Sequence, residues 1–235
     1  MMIVQFICNM NNTLELHSVL QRPRRTQAEN RVFRRESLLS AAIIAVAKFD
    51  IAGATVERIC NLACASRGLI AHYFDSKDDL LLAALSSLFN DSLHIKQEIA
   101  DGELKSARTK IRMIAHSNFI PPIYSLERAS ALQAFTNASR HNAIYNTPIQ
   151  NGSMKFRRMT TPLFKQAAKE LDYELDAKRA TIGLYVLTDG LWNSLATKKD
   201  RITPRDAMAQ CDTYIRGCFT EESDFSKTID SDQSN

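Results

Sequence analysis

The chain has 235 residues, 45% of them hydrophobic, with a formal charge of +4 and only seven Gly and six Pro, enough apolar material for one large core or two small ones. No apolar run approaches the ~18 residues that span a bilayer, and the opening MMIVQFICNM lacks a basic leader and a cleavage site, so neither a membrane helix nor a signal peptide is expected. Five cysteines, Cys8, Cys60, Cys64, Cys211 and Cys218, are odd in number and scattered, which argues against a disulfide framework and for reduced thiols in the cytoplasm.

Apolar residues recur at helical spacing along almost the whole chain and no run alternates as a strand would, so the expected fold class is all-α. Residues 1–30 read as a disordered N-terminal arm. Met1 to Gln21 carry no periodicity, and Met10 offers a later start. The segment from Arg22 to Arg35 is basic, and could lie in a minor groove or remain a solvated tail. A first helix is expected over Arg31–Ile51, with Leu38, Ala42, Ala45 and Phe49 on one stripe, ended by Gly53.

The next stretch, TVERICNLACASRGLIAHYFDSK from Thr55 to Lys77, reads as two short helices joined by a tight turn. Thr55 can cap the first, whose inward face is Val56, Ile59, Leu62 and Ala63. Ser66 can cap the second, with Leu69, Ile70 and Phe74 inward and Arg67, Gly68, Ala71, His72 and Tyr73 free for a partner. Ser76, with Asp79 at the capping-box position, opens a third helix from Lys77 to about Ile99. From Arg22 to Lys77 ten Lys or Arg face five acids, a net of +5 against +4 for the whole chain. A helix-turn-helix inside such a basic segment points to double-stranded DNA and away from a membrane surface.

Five further helices are expected in the body: Leu104–Phe119, Leu126–Ser139, Ser153–Leu171, Asp176–Thr197 and Pro204–Phe219. Pro121 with Pro122, Asn151 with Gly152, and Thr203 with Pro204 are read as the breaks between them, and Pro162 as a kink or a division into two helices. The helix over 177–197 carries two apolar stripes. One holds Ala180, Leu184, Leu187, Leu191 and Leu195; the other holds Ile182, Tyr185, Asp189, Trp192 and Ala196. A helix apolar on two sides needs two partners, its own domain and a second copy of the chain, so a homodimer is expected. The expected domains are residues 31–78 for DNA binding and 79–220 for dimerisation, to which the family resemblance below adds effector binding. Residues 221–235 are expected to be a disordered acidic tail.

The motif T-x-x-x-I-x-x-x-A-x-x-S-x-G-x-x-x-x-Y-F-x-S-K-x-x-L resembles the DNA-binding head of the TetR family of bacterial transcriptional regulators. The wording SRGLIAHYF, the DGLW near the C-terminus and the length are most similar to the family's choline-responsive repressors of glycine betaine synthesis. The resemblance implies DNA contacts at Thr55, Ser66, Arg67, Gly68, Leu69, His72, Tyr73 and Lys77. Chemistry agrees at several of them. Arg67 can fork onto guanine, Gly68 permits a close backbone approach, and Tyr73 and Lys77 can reach phosphates. A structural role competes at Thr55 and Ser66 as caps and at Tyr73 as a seal on the head's core. The sequence departs from the family pattern at Cys64, where Gly is usual, so a left-handed turn there would be strained.

The resemblance also implies a small-molecule effector, choline or betaine aldehyde. Tyr185, Asp189 and Trp192 lie a turn apart on one stripe, and Phe135 on another helix could close an aromatic box around a quaternary ammonium. The competing role for the same residues is core packing. No catalytic constellation, cofactor motif or metal-ligand set is found. Cys60, Cys64 and His72 supply too few ligands for structural zinc. The reading is a ligand-released repressor that is not an enzyme. Its alternatives are a regulator answering to a lipophilic toxin or metabolite, and an effector-free architectural DNA-binding protein.

Overall fold

The computed structural model describes residues 26–103, 106–197 and 201–220. The expected arm up to residue 25 and the acidic tail over 221–235 lie outside the described residues. Among the described residues there are nine α-helices, one short 3-10 turn and no strand, so the fold is all-α. The chain divides into two compact units, residues up to Arg35 and residues from Glu36 onward. Of the first, the described part opens at Thr26, whose hydroxyl accepts from the Glu29 amide at 3.2 Å while the Glu29 carboxylate accepts from the Thr26 amide at 2.7 Å. This reciprocal cap starts the helix four residues before the expected Arg31.

Helix α1 spans Gln27–Gly53 and is interrupted at Asp50, which takes a positive φ of 60°. Helices α2 (Val56–Ala63), α3 (Arg67–Tyr73) and α4 (Lys77–Asp101) follow with side-chain caps at Thr55, Ser66 and Ser76, each accepting the amide three residues on. The body continues with α5 (Ala107–Ser117), α6 (Leu126–Ala138), a 3-10 turn at Ala143–Tyr145, α7 (Asn146–Glu170), α8 (Ala177–Thr197) and α9 (Pro204–Gly217). The capping box expected at Thr203 and Asp206 is present.

Two expectations for α7 are corrected. The helix begins at Asn146, because Gly152 lies inside it and serves a different purpose: a Cβ there would collide with the Phe89 ring of α4. The missing side chain lets α4 and α7 approach closely. Nor does Pro162 end the helix. Pro162 and Arg158, whose carbonyl loses its partner, are both exposed, so water can take the freed acceptor.

Two apolar cores result. The first joins Leu38, Ala42 and Val46 of α1, Ile59 of α2, Ile70 of α3 and Leu81, Leu85 and Leu88 of α4 to Phe135 of α6 and Tyr145. The second joins Ile111 and Ile114 of α5, Phe156 and Phe164 of α7, Leu184 and Leu195 of α8 and Cys211 and Ile215 of α9. Polar ties fix the body helices around it. Arg112 of α5 grips Asp212 of α9 through two bonds of 2.9 and 3.2 Å, and the Tyr214 hydroxyl donates to the Ala180 carbonyl at 2.8 Å across the gap left by Gly183.

Candidate DNA-reading helix and effector cavity

The turn between α2 and α3 is made by Cys64, at φ 49° and ψ 45°. This is the left-handed conformation that Gly adopts freely and other residues adopt at a cost of roughly 1 kcal/mol or more. Its amide reaches back to the Asn61 carbonyl, and the Ala65 amide to that of Cys60, so the turn satisfies the carbonyls at the end of α2. The turn sets α3 with Ile70 inward and Arg67, Gly68, Ala71 and His72 exposed.

Each residue expected to meet DNA can be placed on that frame. Thr55 and Ser66 both cap, accepting amides at 3.3 and 3.2 Å, while their residues stay exposed. Arg67 is 74% exposed and lies 3.6 Å from the Glu57 carboxylate of α2, a solvent-screened pairing that a phosphate or a base can replace at little cost. Leu69 is half-buried. The Tyr73 ring is half-buried against the first core and meets the His72 ring edge-on, with centroids 5.1 Å apart. Lys77 extends its ammonium to the Ile51 carbonyl at 3.4 Å, satisfying an acceptor near the end of α1, so it has structural work as well. Residues 66–68, 71 and 72 form one exposed face, and nothing is added above Gly68, whose nearest non-neighbour is the Ser66 hydroxyl at 3.9 Å from where a Cβ would be.

A cavity lies where the two cores meet. It is lined by Leu88, Phe89, Ser92, Leu93 and Lys96 of α4, Leu132 of α6, Gly152 and Phe156 of α7, and Tyr185, Thr188, Asp189 and Trp192 of α8, with Asn118 after α5. Three of the four residues expected to hold an effector are thus brought together: Tyr185, Asp189 and Trp192. The fourth, Phe135, is not on the wall. It is fully buried in the first core with its ring 5.4 Å from that of Tyr145. Its place in an aromatic enclosure is taken by Phe89 and Phe156, the latter 5.6 Å from the Tyr185 ring. The signal for Phe89 was Gly152, a glycine within a helical pattern, read as a break.

Trp192 is held in one orientation, its indole N–H donating to the Asn118 carbonyl at 2.8 Å and its ring meeting Tyr124 edge-on at 6.0 Å. Burial raises the Tyr185 hydroxyl pKa, and the nearby Asp189 carboxylate adds to the effect. Asp189 is raised by desolvation as well. Lys96 was not foreseen. It is only 6% exposed, on a helix face continuing from Leu88 and Ser92, and burial lowers its pKa from 10.5 to about 7. The cavity has about 640 Å³ of empty space, part of it open to solvent.

Known proteins resemble the chain over both its head and its body. Residues 38–84 match the family described as bacterial regulatory proteins, tetR family, and residues 107–220 match the BetI-type transcriptional repressor C-terminal family. The HTH-type transcriptional regulator BetI of Burkholderia ambifaria is 29% identical over 185 residues, covering 79% of this chain and 93% of that protein. BetI 2 of Chromohalobacter salexigens is 28% identical over 199 residues, covering 81% and 93%. Among solved structures, a transcriptional regulator from Pseudomonas aeruginosa PAO1 superposes with a TM-score of 0.69 at 25% identity over 82% of this chain and 92% of its own. A TetR transcription regulator from Haloarcula marismortui, at 18% identity and TM-score 0.70 over 80% of this chain and all of its own, shares the fold. The matched families and named relatives are transcriptional regulators, not enzymes.

Proposed function

Because the chain belongs to the TetR family of bacterial regulatory proteins, with a BetI-type C-terminal region, and is a DNA-binding transcriptional regulator, we propose that it is a dimeric repressor released from its operator by a small quaternary ammonium. Choline and betaine aldehyde are the first effectors to test. The observation that carries this reading is α4. It starts after the three residues that follow α3, and some 11 to 19 residues on, about 16–28 Å along its axis, it lines the cavity through Leu88 to Lys96. A ligand that moves α4 therefore moves the helix that meets DNA. The switch works only if the ligand prefers one body conformation, since equal affinity for both shifts nothing.

The walls suit a cation of this size. Phe89, Phe156, Tyr185 and Trp192 offer ring faces, each worth roughly 0.5–2 kcal/mol to a desolvated cation, and Asp189 offers a carboxylate. Ring faces beside a carboxylate favour a small cation over a neutral lipophile, and with it this reading over a toxin-responsive regulator. Arg67, Gly68 and His72 are proposed to meet base edges. Thr55, Ser66, Leu69, Tyr73 and Lys77 are proposed to position the head on the sugar-phosphate backbone.

Dimerisation is proposed through the outer face of α8, where Ile182 and Val186 are 46% and 61% exposed one turn apart, and through α9 beside it. The cytoplasm, where operator DNA resides, is the proposed location. The test is release: duplexes selected for binding from a random pool should be displaced by millimolar choline or betaine aldehyde. Retention by the wild-type protein at those concentrations would remove both from consideration.

A further inference from the structure

The cavity holds an acid and a base that do not satisfy each other. Asp189 and Lys96 both line it, on α8 and α4, and no ion pair joins them. Among the described residues the Lys96 ammonium has one hydrogen-bond partner, the Ser92 hydroxyl one turn back, although it carries three donors. Its Nζ also stands 5.5 Å from the centre of the Phe156 ring. Ser92 and Phe156 are themselves wall residues, so the amine is at the cavity surface and not sealed in packing. A buried amine with unused donors, facing a space large enough for a small molecule, is costly to keep without a ligand to receive them.

We propose that the effector is a small zwitterion whose ammonium end lies against Asp189, Tyr185 and Trp192 and whose carboxylate end is received by Lys96 and Ser92. This rests on the ammonium-binding reading above and adds the carboxylate subsite. A simple cation leaves Lys96 unpaired and is repelled whenever the amine is protonated. A simple anion leaves Asp189 unpaired. A small zwitterion satisfies both. The titratable groups facing Lys96 across the cavity are Tyr185 and Asp189, both on α8; α6 and α7 contribute Leu132, Gly152 and Phe156, which do not titrate.

Three near-isosteric probes separate the possibilities by calorimetry on the full chain: trimethylglycine with both charges, choline with only the cation, and 3,3-dimethylbutanoate with only the anion. Wild type should bind trimethylglycine at least ten-fold more tightly than either of the others. Lys96→Met should lose that advantage while keeping or improving choline binding, and Asp189→Asn should weaken trimethylglycine and choline but not 3,3-dimethylbutanoate. In the wild-type protein itself, trimethylglycine affinity should fall as pH rises past about 7 and choline affinity should rise. This pH arm holds even if a variant fails to fold. Choline binding ten-fold tighter than trimethylglycine, with no opposite pH trends, would overturn the carboxylate subsite and leave the quaternary-ammonium reading intact. Binding of none of the three at millimolar concentration would overturn both.

Discussion

Lys96 Nζ stands over the face of the Phe156 ring with the Ser92 hydroxyl as its hydrogen-bond partner, so an ammonium group is held in the body where an aliphatic side chain would pack with less penalty. Burial holds its pKa near 7 in the folded chain against 10.5 ordinarily. Between those values the unfolded chain binds more protons, so the wild-type protein gains stability from this site as pH rises and pays the full penalty below about pH 7. Lys96→Met should therefore be more stable than wild type by on the order of 3–5 kcal/mol near neutrality, in the absence of ligand. The gap should narrow by about 1.4 kcal/mol per pH unit and close near the ordinary lysine pKa. Denaturant titrations of both proteins between about pH 6 and about pH 10 check this; a gap independent of pH contradicts the assignment of the buried charge.

The exposed pairing of Arg67 with Glu57 bears on how DNA is read. Arg67→Ala should cost about 1–3 kcal/mol on the preferred duplex and relax preference at one base position. Glu57→Gln removes the carboxylate beside Arg67 and should tighten binding to all sequences alike. Lys77→Ala should lower the salt slope by about one unit and also destabilise the fold by about 0.5–1.5 kcal/mol, because Lys77 also donates to the Ile51 carbonyl. Competition binding against random and selected duplexes, with salt titration, separates the three. Equal losses on both DNA types for Arg67→Ala would remove it from base readout.

Ile182 and Leu187 belonged to different stripes of α8, and the structure separates their fates. Ile182 is exposed with Val186, whereas Leu187 packs against the second core. Ile182→Glu or Val186→Glu should give a folded monomer by equilibrium sedimentation and abolish operator binding. Leu187→Glu should instead lower thermal stability. A dimeric, DNA-bound Ile182→Glu, Val186→Glu double variant would place the interface elsewhere.

Cys64 in the left-handed region is a local cost that glycine would not carry. Cys64→Gly should stabilise the protein by about 1 kcal/mol, the relieved strain being offset in part by glycine's greater freedom when unfolded. Thermal melts measure the gain, and DNA affinity should stay within error of wild type. Destabilisation would mean that the turn owes more to the Cys64 side chain than to its backbone.

The head was legible because its information is local. Thr55, Ser66 and Ser76 announce three helix starts by the same hydroxyl-to-amide bond, and the spacing between them leaves room only for short helices and a tight turn. The cavity was legible only along α8, where Tyr185, Asp189 and Trp192 share a stripe. What completes it depends on how other helices are rotated, which sequence periodicity does not specify. Phe135 lies on a helix whose apolar residues do not define one face, and it turned toward Tyr145. Gly152 read as a break because its use, letting Phe89 in, belongs to a residue more than 60 positions away. Lys96 looks like any solvated lysine until α7 is laid over it. Val186 falls between the two stripes and so drew no notice.

The most direct test of the account joins its two halves in one titration. Fluorescence anisotropy of a labelled duplex bearing two half-sites about 34 Å apart, selected for binding to the wild-type chain, would be followed as effector is added. Wild type is expected to release the duplex at millimolar or lower quaternary ammonium. Trp192→Leu and Asp189→Asn are expected to bind the duplex as tightly but to need at least ten-fold more effector for release. Release from both variants at the wild-type concentration would contradict the proposed coupling, because the cavity beneath α4 would then have no part in moving α3, the proposed DNA-reading helix.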